Sequence, residues 1–197
     1  MRNRTRKLLL TVLVVGVVGT VAGVGTFSAF SSTTSNDGNL FAAGSVTLSD
    51  NDSGTAMYSV TNAKPGDSAQ SCITATYTGS LGANVRLYTG STIASLGSHL
   101  TLTITPGTGS VSFGSSCTNF VADSGGAIYT GTLSNFASTH SNFSTGLALK
   151  NTGQASLTWS QNDAVVYKFQ VSLSSSDTTG GGLTTGTHTF TWEAQNT

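Results

Sequence analysis

Residues Val165-Val166-Tyr167-Lys168-Phe169-Gln170-Val171-Ser172-Leu173 decide the reading of this chain. Val165, Tyr167, Phe169, Val171 and Leu173 fall on one side, and Val166, Lys168, Gln170 and Ser172 on the other. Side chains of a strand alternate between its two faces, so this period of two marks a half-buried β-strand. The same alternation appears in Ile73–Thr78, Leu100–Thr105 and His188–Glu193. Shorter candidates are Ser45–Ser49, Met57–Val60, Val85–Tyr88, Val111–Phe113, Ile128–Leu133 and Leu157–Trp159. Together they predict about nine or ten strands. Pro65-Gly66, Gly79, Pro106-Gly107, Gly125-Gly126 and Gly180-Gly181-Gly182 punctuate the gaps. No long segment has a 3.6-residue period; Ser134–Thr145 reads as a turn of helix or a long loop. Phe113–Gly126 reads as a loop. Short strands with such turns predict an all-β, antiparallel sandwich or barrel in one domain.

Composition agrees. Charged residues are only 8% of the chain, with Ser, Thr and Gly in their place. The regular return of Val, Tyr, Phe, Trp and Leu excludes a disordered polar tract. Arg2, Arg4, Arg6 and Lys7 hold half of the basic residues; only Lys64, Arg86, Lys150 and Lys168 follow. All eight acidic residues lie in that later part, which is therefore acidic by four charges. Without clustered Lys and Arg, nucleic acid and anionic lipid head groups are excluded as partners.

The basic start is followed by the uncharged apolar run Leu8–Val24, diluted by Gly16, Gly19 and Gly23. A positive n-region, a short apolar stretch and small residues beyond it predict an export signal, helical in the membrane, over residues 1–29. The run is roughly 17 residues, short of the ~20 that a permanent span requires. Cleavage is expected between Ala29 and Phe30; a retained N-terminal anchor is the alternative and the only membrane contact foreseen. In the oxidising compartment beyond, Cys72 and Cys117 are expected to form one disulfide. A loop of about 45 residues closed this way is credited with about 4 kcal/mol in the chain-entropy model.

The stretch Thr26-Phe27-Ser28-Ala29-Phe30, followed by Asn39-Leu40-Phe41-Ala42-Ala43-Gly44-Ser45-Val46-Thr47-Leu48, resembles the N-terminus of the TasA/camelysin family. Lys64-Pro65-Gly66-Asp67 and Cys72-Ile73-Thr74-Ala75-Thr76-Tyr77 resemble its next turn and strand. Thr189-Phe190-Thr191-Trp192-Glu193-Ala194 resembles the closing strand of the actinobacterial branch. The resemblance implies a jelly-roll-like β-sandwich and a signal cut by a SipW-type signal peptidase. It also implies a place in extracellular biofilm fibres or on cell and spore surfaces, although some members carry a metalloendopeptidase label.

Residues 30–49 form an arm between the signal and a domain over residues 50–197. The arm carries Phe30, Phe41, Ala43, Val46 and Leu48. Such a segment can add as a strand to a sheet edge, its own or a neighbour's. Head-to-tail donation generates open filaments, and a tethered arm would be withheld until cleavage.

The enzyme reading fails on residues. His99, His140 and His188 are far apart, Glu193 is the only Glu, and no HExxH helix motif exists. Neither a G-x-S-x-G elbow nor a phosphate-cradling loop is present, so no catalytic residue and no cofactor are expected. Asp50-Asn51-Asp52-Ser53-Gly54 is like the front of a calcium loop but lacks the closing Glu. Asp50 and Asp52 are thus calcium candidates, and a solvated turn is the plainer reading. Trp159, Trp192, Tyr77, Tyr88, Tyr129 and Tyr167 could floor a carbohydrate-binding or adhesive face, or fill the core. The chain ends without an LPxTG-type sorting motif. The expectation is a secreted structural protein of an extracellular matrix or cell surface, self-associating into fibres by donor-strand exchange; the alternatives are a camelysin-type metalloendopeptidase, which only the family label supports, and a secreted carbohydrate-binding or adhesive module.

Overall fold

The computed structural model describes residues 43–197. The expected signal, the expected cleavage position at Ala29 and Phe30, and the arm residue Phe41 lie outside them. Ten strands follow in order: β1 (Leu48–Asp50), β2 (Ser68–Tyr77), β3 (Ala83–Tyr88), β4 (Leu100–Thr108), β5 (Val121–Ala122), β6 (Tyr129–Thr132), β7 (Leu147–Leu149), β8 (Thr158–Trp159), β9 (Ala164–Leu173) and β10 (Thr191–Asn196). One α-helix, α1 (Leu133–Thr139), separates β6 from β7. Thr132 caps it, its Oγ1 accepting from the Asn135 N–H at 3.0 Å.

The strands form two antiparallel sheets. The larger has the order β1-β2-β9-β4-β5, with β6 also on β4; the smaller has β10-β3-β7, with β8 also on β3. The chain passes from the large sheet to the small at β3, returns at β4, crosses again at β7, returns at β9 and ends in the small sheet at β10. Both sheets contribute to one core, as the jelly-roll-like sandwich reading predicts. Ile73, Tyr77, Leu102, Ile104, Tyr167 and Phe169 come from the large sheet, and Val85, Leu87, Leu149 and Trp159 from the small one. Leu133 and Phe136 of α1 join them, Tyr129 meeting the Phe136 ring edge-on at 4.9 Å.

Turn chemistry fixes the entry to β2. In Lys64-Pro65-Gly66-Asp67 the Asp67 N–H donates to the Lys64 carbonyl at 2.9 Å, and Gly66 has φ +95°. Proline followed by a glycine at positive φ is a type II turn. Gly66 N–H then donates to Leu173 O, and Leu173 N–H to Asp67 O, tying the turn to the end of β9.

Four local expectations are corrected. Pro106-Gly107 is not a gap but lies inside β4, opposite Tyr167 and Val166 of β9. On the other side β6 stops opposite Ile104 and β5 starts opposite Gly107, so no partner requires the missing proline N–H. Met57–Val60 and Val111–Phe113 form no ladder; Met57, Tyr58 and Phe113 pack on the core from loops, and Val111 on a separate cluster. The His188–Glu193 pattern is real, but its ladder starts only at Thr191, opposite Tyr88 where β3 ends. β5 and β7 are additions; Leu147-Ala148-Leu149 carries the alternation over only three residues.

Candidate functional site

β2 is paired along its length with β9 on one side. Its other side is the margin of the sheet, and three unlike partners close it. Beside the Tyr77 end, Leu48, Ser49 and Asp50 lie opposite Tyr77, Thr76 and Ala75. The arm continues backward from there: Thr78 N–H donates to Thr47 O at 2.9 Å, and Leu81 N–H to Ser45 O at 3.1 Å. Ser45 N–H donates to Ser80 Oγ at 2.9 Å. A glycine at position 79 is required for this approach. A Cβ there would stand 2.4 Å from the Tyr77 hydroxyl oxygen and 2.6 Å from the Ser45 carbonyl oxygen.

Asn51 closes the next position. Its Oδ1 accepts from Thr74 N–H at 2.9 Å, and its Nδ2 donates to Val111 O at 3.3 Å. The third partner is the strap 111–117. Cys72 N–H donates to Gly114 O at 3.0 Å, and Gly114 N–H returns a bond to Cys72 O at 3.3 Å. Gln70 Nε2 donates to Ser115 O at 2.9 Å. The Cys72–Cys117 disulfide, with Cα atoms 5.3 Å apart, holds this strap across the sheet face turned away from the core. There Cys72 is buried with Val111 and Val166, with Phe120 packed alongside. The Lys168 ammonium lies 5.3 Å from the centre of the Phe120 ring.

The arm is the least buried part of this edge. Ala43 and Val46 are exposed, Val46 at 37%, and Leu81 beside the arm is exposed as well. Leu48 reaches the mouth of the sandwich. It lines a cavity of about 230 Å³ with Ala75, Phe190 and Trp192, between β1, β2 and β10. A larger cleft of about 720 Å³ shares Phe190 and Trp192 and extends under the 54–60 and 184–189 loops. There the Tyr58 hydroxyl lies 2.6 Å from His188 Nε2, and burial pushes that hydroxyl well above its ordinary range. Across the mouth, β10 is laddered only to β3 among the described residues, leaving its outer edge without a strand partner.

The remaining candidates separate in space. Asp50 and Asp52 act as turn acceptors: Asp52 N–H donates to Asp50 Oδ1 at 3.2 Å, and Gly54 N–H to Asp52 Oδ1 at 2.6 Å. Partial burial raises the Asp50 carboxyl; the backbone bond from Asp52 opposes this, while the Asp52 side chain adds to it. The three histidines have separate partners: His99 with Asp177 at 3.1 Å, His140 with the Thr145 carbonyl at 2.8 Å, and His188 with Tyr58. Burial raises the Asp177 carboxyl, but bonds from His99 and from the Thr179 and Gly180 N–H groups outweigh it and hold it below its ordinary range. Glu193 accepts from the Tyr88 hydroxyl at 2.7 Å. Among the described residues no three His, Cys, Asp or Glu side chains gather, so they do not fit a resident zinc ion.

The aromatic candidates fill or pack on the core instead of forming a platform, except Tyr88, which lies on the other face of β3. Trp159, Tyr77 and Tyr167 are fully buried, and Trp159 Nε1 donates to Leu149 O at 3.1 Å. No Phe, Tyr or Trp among the described residues is exposed. Sequence reading missed Asn51, Gly79 and Gly114 as edge residues. Asn51 was hidden by its own neighbours: the cluster drew notice for the two carboxylates, while the amide between them bridges arm, β2 and strap.

No curated protein matches this chain. A sequence profile described as camelysin metallo-endopeptidase matches residues 4–101, which takes in β1 to β3 and the first residues of β4. With the arm, the Lys64–Asp67 turn and β2 all inside that match, the chain belongs to the TasA/camelysin family.

Proposed function

We propose that this chain is an exported structural subunit of an extracellular or cell-surface fibre, assembled by exchange of its N-terminal arm. In this reading residues 1–29 are a signal removed by a SipW-type peptidase between Ala29 and Phe30. The freed arm, residues 30–49, leaves its own β2 and takes the equivalent seat on the β2 of the next copy. The domain proper is residues 50–197. Because the donated sequence is identical, the same ladder and carbonyl bonds re-form, and each exchange adds one subunit in an open, head-to-tail series.

One observation carries the reading. The arm's seat is a three-residue ladder with a few exposed backbone bonds, on the margin of a strand ten residues long. Val46 and Leu81 lie uncovered beside it. A segment held so lightly can change partners without unfolding the sandwich. The family's name suggests a peptidase instead, and no residue constellation described above supplies one.

The test uses two chains, one starting at Phe30 and one at Ser49, followed by size-exclusion chromatography and electron microscopy. Filaments from the first and monomers from the second are expected. Folded monomers from both, across pH, salt and calcium, would sink the reading; glycan binding and casein cleavage with and without a chelator would then be measured.

A further inference from the structure

The outer edge of β2 is closed in two halves of different kind. Thr76 and Thr78 are covered by the chain's own arm, through β1 and the Thr47 carbonyl. Thr74 is capped by Asn51, and Cys72 by Gly114. β2 itself runs without interruption from Ser68 to Thr76 in register with β9. Nothing in β2 therefore ends the edge at Ala75. What ends it is the strap, and the strap is fastened by the disulfide.

We infer that the edge of β2 from Gln70 to Thr74 is a second strand-addition surface for another copy of this chain, covered by the strap while Cys72–Cys117 is intact and uncovered by a thiol reductant. The occupant is a second copy's Ala43–Asn51, because that sequence already pairs antiparallel with the adjoining half of the same edge. The identity of this occupant rests on the self-association proposed above. An incoming segment can extend past Ala75 only if Gly114 releases both its bonds to Cys72. With the disulfide intact the strap cannot leave. With it cut, the strap is held by the Gly114, Ser115 and Val111 backbone bonds and the packing of Val111, and strand addition competes with those and with the Asn51 cap on Thr74.

The chemistry balances with a dithiol. One of its thiolates attacks the sulfur of Cys117, which is partly exposed, whereas Cys72 is fully buried. Cys72 leaves as a thiolate and takes up a proton. The second reductant thiol then displaces Cys117, the reductant ends as its own disulfide, and the chain holds two thiols. In the oxidised state the edge of β2 accepts a strand only at the arm's short seat, which keeps one register there.

The test uses the full chain recovered from an exporting host, with amide hydrogen exchange read before and after a dithiol is added. Protection at the Cys72 amide should fall by about tenfold or more while the β9 amides keep theirs. A labelled peptide with the sequence of residues 43–51 should bind the reduced chain and restore that protection, and should bind the oxidised chain at least about tenfold more weakly. Cys117→Ser should behave as the reduced chain without reductant. Adding Thr74→Pro, which removes an edge-pointing donor, should abolish peptide binding. Unchanged Cys72 protection on reduction, loss of protection across the whole sheet together, or equal peptide binding in both states would each overturn the inference. These readouts are made on single chains, so fibre formation and strap control fail separately.

Discussion

β9 and β1 belong to the same sheet and are held in opposite ways. β9 is ten residues long, is laddered on both sides, and places Tyr167 and Phe169 fully inside the core. β1 is three residues long, has a partner on one side only among the described residues, and leaves Ser49 and Asp50 exposed. The contrast separates what stabilises the molecule from what is free to change partners. Stability sits in β2, β9 and β4, whose inward residues meet those of β3 and β8. The arm adds little to that, so its seat can be exchanged while the domain stays folded.

The contrast is best attacked where the effect is largest. Phe169→Ala in the centre of β9 should cost about 3–5 kcal/mol, measured by denaturant unfolding. A loss under about 1 kcal/mol would mean that the centre is not where stability lies. Cys117→Ser should cost about 2–4 kcal/mol in the same measurement, through the long loop it leaves open. Asn51→Ala removes the cap of Thr74 and the bond to Val111 together, and should cost about 1–2 kcal/mol. It should also speed proteolysis within residues 43–50.

Gly79→Ala sharpens the comparison from the other side. The added Cβ strikes the Ser45 carbonyl and the Tyr77 hydroxyl, so it should lift the arm and raise its proteolysis rate. Global unfolding should change by less than after Phe169→Ala. Equal losses from both would erase the distinction between centre and margin. The smallest effect is electrostatic, on the small sheet. The Tyr88 bond holds the Glu193 carboxyl below its ordinary value of 4.5, helped by Gln195, and the same bond raises the Tyr88 hydroxyl above its ordinary 10.0. A lowered carboxyl contributes stability above its unfolded value that is lost as pH falls. A raised hydroxyl contributes below its unfolded value, and that is lost as pH rises. The β3–β10 tie should thus be present between those limits, contribute under about 1 kcal/mol as a solvent-screened, partly exposed pair, and vanish in Tyr88→Phe. A pH titration of β10 amide exchange in both chains reads it.

Much of the fold was legible because a period of two survives wherever a strand has one buried face. Ile73–Tyr77, Leu100–Thr105 and Val165–Leu173 all sit in the three long strands of the large sheet. Reading weakened where side chains are buried without a ladder, as at Met57 and Tyr58, whose apolar character comes from covering the cleft. Pro106 misled for a different reason: its place in a strand depends on a gap between two partners, which only the assembled sheet reveals. The edge was half legible. Leu48 and the cysteine pair stand out in the sequence, but Asn51, Gly79 and Gly114 act through single amides, a close approach and a backbone bridge. None of these leaves a pattern in composition or spacing.

The most direct test of arm exchange is solid-state NMR on assemblies of chains starting at Phe30, mixed from one population labelled with ¹⁵N and another with ¹³C. The account predicts contacts between copies that link the Thr78 amide nitrogen of one chain to the Thr47 carbonyl of the other. Assemblies in which that pair appears only within a single copy would contradict it.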